Sequence, residues 1–83
     1  MRYLFMCKSL TYAQRSQKAL ERAGISANII KSPSSLSTRG CGYSVSVSYA
    51  RGSRAAEILK KSSLLQGKIY IQEADGSYKE VVF

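Results

Sequence analysis

The sequence predicts an α+β fold in which two helices cover one face of an antiparallel sheet. Three observations lead to this prediction. Residues 43–49 alternate tyrosine or valine with serine, the period of two that marks a half-buried strand. Two segments, 9–23 and 53–65, space their apolar residues as amphipathic helices do. Asp75-Gly76 is a strong hairpin turn signal, which predicts two short strands near the end of the sequence.

The predicted elements follow one another without a linker or a tandem repeat. They are a strand at 2–7, a helix at 9–23, strands at 25–31 and 43–49, a helix at 53–65, and strands at 68–73 and 78–83. The first six elements have the order of the ferredoxin-like βαββαβ arrangement, for which we expect the spatial strand order 4-1-3-2. The last strand would form a C-terminal β-hairpin with the sixth element. Since 83 residues leave no room for a second domain, residues 1–83 are expected to form a single domain.

Local signals predict where the helices begin and end. Ser9 or Thr11 can cap the first helix, because a side-chain oxygen there accepts a hydrogen bond from a free backbone N–H. Gly24 supplies the left-handed residue that ends this helix. Ser53 is expected to cap the second helix, and Gly67 to end it as Gly24 ends the first. The inner faces are predicted to carry Ala13, Ser16, Leu20 and Ala23 on the first helix, and Ala55, Ile58, Leu59, Ser62 and Leu65 on the second.

Charge and composition narrow the classes of function. Thirteen Lys and Arg residues against five Asp and Glu give a net charge of +8, which favours anionic partners such as nucleic acid, phosphorylated ligands, acidic protein surfaces or an anionic sulfur species. The chain has no histidine, so zinc would lack ligands and a Cys-His pair cannot form. We therefore expect no metal, no cofactor and no independent catalytic apparatus of an enzyme.

Cysteine usage and hydropathy predict a cytoplasmic protein. The two cysteines, Cys7 and Cys41, fit no disulfide-rich scaffold, and a reducing cytoplasm keeps thiols unoxidised. No stretch approaches transmembrane length, so no membrane partner is expected. The apolar N-terminal run also lacks the length and cleavage pattern of a signal peptide.

The candidate functional residue is Cys41, which stands between Gly40 and Gly42 at the start of the 43–49 strand. Glycines on both sides remove side-chain cover and leave the sulfur accessible. A thiol is a nucleophile only as the thiolate, and a helix N-terminus or a nearby cation lowers the pKa of a cysteine below its free value of about 8.5. The alternative interpretation is that the glycines form a turn and Cys41 fills space.

The predicted topology brings further groups to the same end of the sheet as Cys41. The end of the first strand, the start of the first helix, the loop before residue 43 and the start of the 68–73 strand share this end. Cys7 is therefore a candidate second thiol. The basic residues at this end are Lys8, Lys31, Arg39 and Lys68, and their alternative role is a solvated charged surface. Of these, Lys8 and Arg39 are the candidates to stabilise a Cys41 anion.

Together these residues resemble a known family. The apolar first strand ends near a serine, the first helix carries the spacing A-x-x-x-x-x-x-L-x-x-A-G-I from Ala13 to Ile25, and a loop with Pro33 runs into Cys41-Gly42. From about residue 3 to 71 the chain is similar to the selenium/sulfur (Se/S) carrier protein-like family. The Cys-Gly pair after the proline-containing loop is the most specific element. Cys7 departs from the pattern, since serine or threonine is expected near that position.

The resemblance implies a function for the thiol. Cys41 would carry sulfur or selenium as a persulfide or perselenide, loaded by a donor enzyme of the desulfurase type and unloaded by an acceptor protein. Thiolate exchange needs only an attacking sulfur and a leaving group, so carrier chemistry requires no general base.

Two rival interpretations stay open. A basic ferredoxin-like sheet with tyrosines is typical of RNA-recognition modules, yet the basic-Gly-aromatic-Gly-aromatic motif is absent from the third strand. If residues 41–49 alternate regularly, the odd-numbered residues face the helices, and the open face holds the serines with Tyr70. The other interpretation is a small-ligand regulatory module, in which sheet edges pair between subunits of a homodimer.

Overall fold

The computed structural model describes residues 1–32, 42–65 and 67–81. It confirms the α+β class, with two helices and a five-stranded antiparallel sheet. The elements are β1 (Arg2–Cys7), α1 (Leu10–Arg22), β2 (Ala27–Lys31), β3 (Tyr43–Ser48), a short 3₁₀ turn (Tyr49–Arg51), α2 (Gly52–Lys61), β4 (Ile69–Gln72) and β5 (Tyr78–Val81).

The strand order across the sheet is β2-β3-β1-β4-β5. This differs from the four-stranded order 4-1-3-2 of the ferredoxin-like prediction, because β5 pairs with β4 and takes over one edge of the sheet. The cause is the tight turn before β5. Gly76 adopts φ 89°, and the Ser77 carbonyl accepts a hydrogen bond from the Glu73 N–H at 2.8 Å. The predicted hairpin at Asp75-Gly76 is therefore confirmed.

Asp75 locks this turn with its carboxylate. One carboxylate oxygen accepts hydrogen bonds from the Ser77 hydroxyl at 2.6 Å and from the Ser77 backbone N–H at 2.9 Å. These two bonds stabilise the ionised form, so they hold the pKa of Asp75 below its ordinary value of 3.8.

The two faces of the sheet differ in what covers them. On the helix side, Tyr3, Phe5 and Cys7 of β1 pack with Val45, Val47 and the buried residues of both helices. On the opposite side, Leu4 and Met6 pack against Tyr70 and Tyr78. The predicted parity of β3 is thus confirmed, and Tyr70 lies on the open face. Ser44 and Ser46 are nevertheless buried there, because they sit among larger side chains of neighbouring strands.

Helix α1 matches its prediction closely. Ser9 is the N-cap and accepts a hydrogen bond from the Tyr12 N–H at 3.4 Å. Gly24 follows the helix in the left-handed conformation, with φ 82°. The buried residues of the helix are Ala13, Ser16 and Leu20, all on the predicted inner face.

Both predicted boundaries of α2 are wrong. The helix begins at Gly52, so Ser53 lies inside the first turn and does not cap it. The helix ends at Lys61, and the left-handed residue that follows is Ser63, with φ 56°, where Gly67 was expected. Gly67 instead allows a close approach to β1, since a Cβ atom there would lie 2.8 Å from the Met6 carbonyl oxygen.

Candidate functional site

The structure describes half of the predicted site residues. Those within the described part of the chain are Cys7, Lys8 and Gly42. Those outside it are Arg39, Gly40 and Cys41. The described part of the candidate site is the end of the sheet that carries Ser32 and Gly42, the residues that flank the 33–41 segment.

Strand register gathers the surrounding residues at one end of the sheet. Cys7, the last residue of β1, pairs with Tyr43, the first residue of β3, and Lys31 at the end of β2 pairs with the same tyrosine. The Met6 N–H donates to the Lys68 carbonyl at 3.1 Å, which brings the start of β4 to this end as well. The N-terminus of α1 follows β1 after two residues, so it opens at the same place.

A hydrogen bond joins the two residues that flank the 33–41 segment. The Ser32 N–H donates to the Gly42 carbonyl at 3.1 Å. Gly42 itself is exposed, and a Cβ atom added there would meet nothing within 4 Å. The two residues that flank the 33–41 segment therefore lie next to each other, at the end of the sheet that carries Cys7 and the start of α1.

Next to this hydrogen bond, three buried side chains are linked by two further hydrogen bonds. Ser44 Oγ donates to Met6 Sδ at 3.1 Å and shares a hydrogen bond with Ser32 Oγ at 2.8 Å. Because the Ser44 hydroxyl has a single proton, Ser32 is the donor in the second bond. No sequence pattern predicts a role for Ser32 or Met6 at this end of the sheet. The alternation of serines in β3 predicts an open face but contains no signal that these hydroxyls are buried.

Cys7 is enclosed in the core on the helix side. Its side chain is 2% exposed, and its thiol donates to the Phe5 carbonyl oxygen at 3.5 Å. It packs in the same cluster as Val45 and Ala13. A reagent in solution has no direct path to this sulfur in the described conformation, so any role as a second thiol would require local opening.

The electrostatic setting of this end is positive. Lys8 and Lys31 are exposed, and neither forms an ion pair with any carboxylate of the described residues. Lys68 Nζ lies 3.6 Å from Glu80 Oε1 between well-exposed side chains, so solvent screens this pair strongly. The first turn of α1 contains no acidic residue, which leaves the positive end of the helix dipole uncompensated.

Other kinds of site find little support in the described residues. They contain no group of three or more Cys, Asp or Glu side chains that could hold a metal ion. Neither α1 nor α2 has the length and apolar character needed to cross a membrane. Tyr78 joins Tyr70 on the open face through its position on β5, so this face carries two tyrosines where one was expected.

Comparison with known proteins supports the resemblance found in the sequence. A family model described as "Putative Se/S carrier protein-like" matches residues 2–71. No curated protein and no solved structure matches the chain. The matched range runs from the start of β1 nearly to the end of β4 and includes the flanking residues Ser32 and Gly42. The chain therefore belongs to the putative Se/S carrier protein-like family.

Proposed function

We propose that this protein is a cytoplasmic sulfur or selenium carrier, or an accessory protein of such transfer, and that the Cys41 thiol holds the transferred atom as a persulfide or perselenide. Lys8 and Arg39 stabilise the anionic sulfur, and Gly40 and Gly42 shape the loop. A donor enzyme loads the atom and an acceptor protein removes it. The scaffold for this chemistry is a ferredoxin-like domain extended by β5.

The observation that carries the proposal is the hydrogen bond between Ser32 and Gly42 at the α1 end of the sheet. This bond joins the two residues that flank the 33–41 segment, at the end of the sheet where α1 begins, and the first turn of α1 has no acidic residue. Both a helix N-terminus and a nearby cation such as Lys8 favour a thiolate over a thiol. Among the described residues, the other thiol, that of Cys7, is buried and does not compete for the donor.

The transfer step balances without an added oxidant or reductant. The Cys41 thiolate attacks the outer sulfur of a donor persulfide. A new sulfur–sulfur bond forms at Cys41, the donor's sulfur–sulfur bond breaks, and its electron pair leaves with the donor thiolate. Any proton on the outer sulfur stays with it. Delivery to the acceptor is the same exchange, with the acceptor thiolate attacking and Cys41 leaving.

The direct test is the pH dependence of Cys41 alkylation, followed by mass spectrometry on the wild type and on Cys7→Ala. Cys41 is expected to react at lower pH than a free thiol, with the same profile in both proteins because the Cys7 sulfur is enclosed. With a desulfurase-type enzyme and its substrate, the protein is expected to gain the mass of one sulfur atom. Cys41→Ser should abolish this gain.

A pair of charge variants makes the test specific for the site. Lys8→Gln should shift the alkylation profile of Cys41 to higher pH, because it removes a cation next to the N-terminus of α1. Lys18→Gln removes the same charge from the exposed surface of α1 and should leave the profile in place. A Cys41 that alkylates like a free thiol and takes up no sulfur would contradict the carrier proposal.

A further inference from the structure

A polar cleft lies at the opposite end of the sheet from Ser32 and Gly42. Its volume is about 280 Å³. The residues that line it are Arg2, Gly24, Ser26, Asn28, Ser48 and Arg51. Arg2 begins β1 and pairs in register with Ser48, the last residue of β3, so the cleft and the Cys41 segment occupy different ends of the molecule.

Arg2 is the cation of this cleft whose side chain is held by a hydrogen bond to the sheet. Its Nε donates to the hydroxyl of the buried Ser46 at 2.6 Å, which fixes the guanidinium against the open face of the sheet. A guanidinium has five N–H donors, so this bond leaves the four hydrogens of the two terminal amino groups for another acceptor. Within the described residues, no carboxylate forms an ion pair with Arg2 or Arg51.

The rest of the lining complements an anion with several oxygens. Among the described residues, no acidic side chain lines the cleft, and Ser26, Asn28 and Ser48 add neutral donors beside the two arginines. Arginine forks match the geometry of both carboxylates and phosphates. Two uncompensated positive charges match a phosphate monoester, which carries about −1.5 to −2 at neutral pH, better than a single carboxylate.

We propose that this cleft binds the phosphoryl group of a small molecule. Its volume lies just below the range of roughly 300 to 1,000 Å³ that is typical of pockets for drug-sized ligands, so a compact phosphorylated compound fits the space. Arg2 and Arg51 bind the phosphoryl oxygens, and Ser26, Asn28 and Ser48 supply further hydrogen bonds. The site does not depend on Cys41, and its failure would leave the carrier proposal unaffected.

A second basic cleft provides the internal comparison. It measures about 290 Å³, and its cations are Arg15, Lys18 and Arg22. All three are exposed side chains of α1, and Arg15 lies over the Tyr12 ring at 5.8 Å. No described hydrogen bond to a buried hydroxyl fixes any of them, in contrast to Arg2. These three side chains therefore form a solvated helix face, and the second cleft serves as the matched control for phosphate binding.

The experiment is a titration of the full chain with inorganic phosphate near neutral pH, at an ionic strength held constant with chloride, followed by ¹H–¹⁵N NMR. Saturable shifts are expected at the amides of Ser26, Asn28 and Ser48. Arg51→Gln and Arg2→Gln should each weaken binding by about tenfold or more, because each removes charge-assisted hydrogen bonds. Arg15→Gln should leave the affinity within about twofold of the wild type.

Three results would overturn the proposal. Shifts that do not saturate, or an equal loss in Arg15→Gln, would indicate general charge attraction. Acetate binding as tightly as phosphate would assign the cleft to carboxylates. A short thymidine oligonucleotide that shifts Tyr70 and Tyr78, while phosphate alone shifts nothing, would assign the open face to nucleic acid. If Arg2→Gln does not fold, the exposed Arg51→Gln decides.

Discussion

Among the described glycines, Gly52 is the one where an added Cβ atom would come closest to neighbouring atoms. It opens α2 directly against the Tyr3 ring, and a Cβ atom built there would overlap three carbons of that ring. The ring cannot easily move aside, because it stacks on Tyr49 with 5.4 Å between ring centroids and on Phe5 with 6.1 Å. Gly52 is thus retained by packing, and its φ of −60° is an ordinary helical value.

We expect Gly52→Ala to lower the free energy of unfolding by about 2 kcal/mol in urea denaturation. Alanine gains about 1 kcal/mol of helix propensity over glycine, but overpacking a filled core costs typically 1–3 kcal/mol and occasionally more. The overlap involves the body of the ring, so the larger cost wins. Ser53→Ala, one residue on and exposed, should change stability by less than about 0.5 kcal/mol.

A double mutant isolates the cause. Tyr3→Leu removes the ring, so adding Gly52→Ala to it should cost clearly less than Gly52→Ala costs alone. Equal costs in the two backgrounds would show that the ring contact is not responsible. The sequence contains no local signal of this contact, because Tyr3 and Gly52 are brought together only by the tertiary fold.

Both helices end in the same arrangement, although different residues supply it. After α1, the Ile25 N–H donates to the Leu20 carbonyl at 2.9 Å, with Gly24 left-handed between them. After α2, the Leu64 N–H donates to the Leu59 carbonyl at 2.9 Å, with Ser63 in the left-handed position. This is the Schellman motif, which normally uses glycine at the left-handed residue.

Ser63→Gly is expected to raise the free energy of unfolding by about 1 kcal/mol. A left-handed conformation costs a non-glycine residue roughly 1–2 kcal/mol, and glycine removes this cost. Glycine also loses more backbone entropy on folding, which cancels only part of the stabilisation. Ser62→Gly is the matched control. Ser62 has φ −88°, which any residue adopts, so glycine there should lower the free energy of unfolding. Chemical denaturation of both variants gives the comparison. A Ser63→Gly protein no more stable than the wild type would contradict this account.

The end of α2 also shows what a sequence pattern can and cannot predict. Helix α1 was predictable because its cap, its apolar face and Gly24 all point to the same boundaries. In α2 the apolar spacing continues through Leu64 and Leu65, which pack against the core from a segment that is no longer helical. With a serine as the left-handed residue, nothing local marks the true end, and Gly67 was the wrong choice.

At the scale of the whole molecule, charge is the dominant property. The net charge is +8 after all five carboxylates are counted, so the described surface ion pairs, Glu57 with Lys61 and Glu80 with Lys68, do not lower it further. Such a field raises the local concentration of small anions around the protein and speeds their association. It acts on any reagent that approaches Cys41, whatever the details of the site.

This field predicts a preference for anionic reagents at Cys41. The ratio of the alkylation rates with iodoacetate and iodoacetamide should exceed that of a neutral model thiol several-fold at low salt. It should fall towards the model value as the ionic strength rises from about 0.01 M to 1 M, because the screening length shrinks from about 30 Å to about 3 Å. Neutral iodoacetamide serves as the internal control. A ratio that does not change with salt would contradict electrostatic steering.

The candidate site was predictable to the extent that it follows from topology. The order of strands and helices was enough to place Cys7, Lys8 and Lys68 at the end of the sheet where Gly42 lies. The polar cleft with Arg2 and Arg51 was not predictable from the sequence. Its arginines come from β1 and the 3₁₀ turn, and only the register of Arg2 with Ser48 brings them together.

The hydrogen bond between Ser32 and Gly42 extends the pairing of β2 and β3 by one step beyond the ends of both strands. Both flanking residues adjoin the paired strands β2 and β3, whose register is set by their own ladder. Each doubling of the length of a flexible loop costs only about 0.6 kcal/mol in closure entropy. Because the described fold itself holds Ser32 and Gly42 together, a connection of different length or sequence between them would require no new fold.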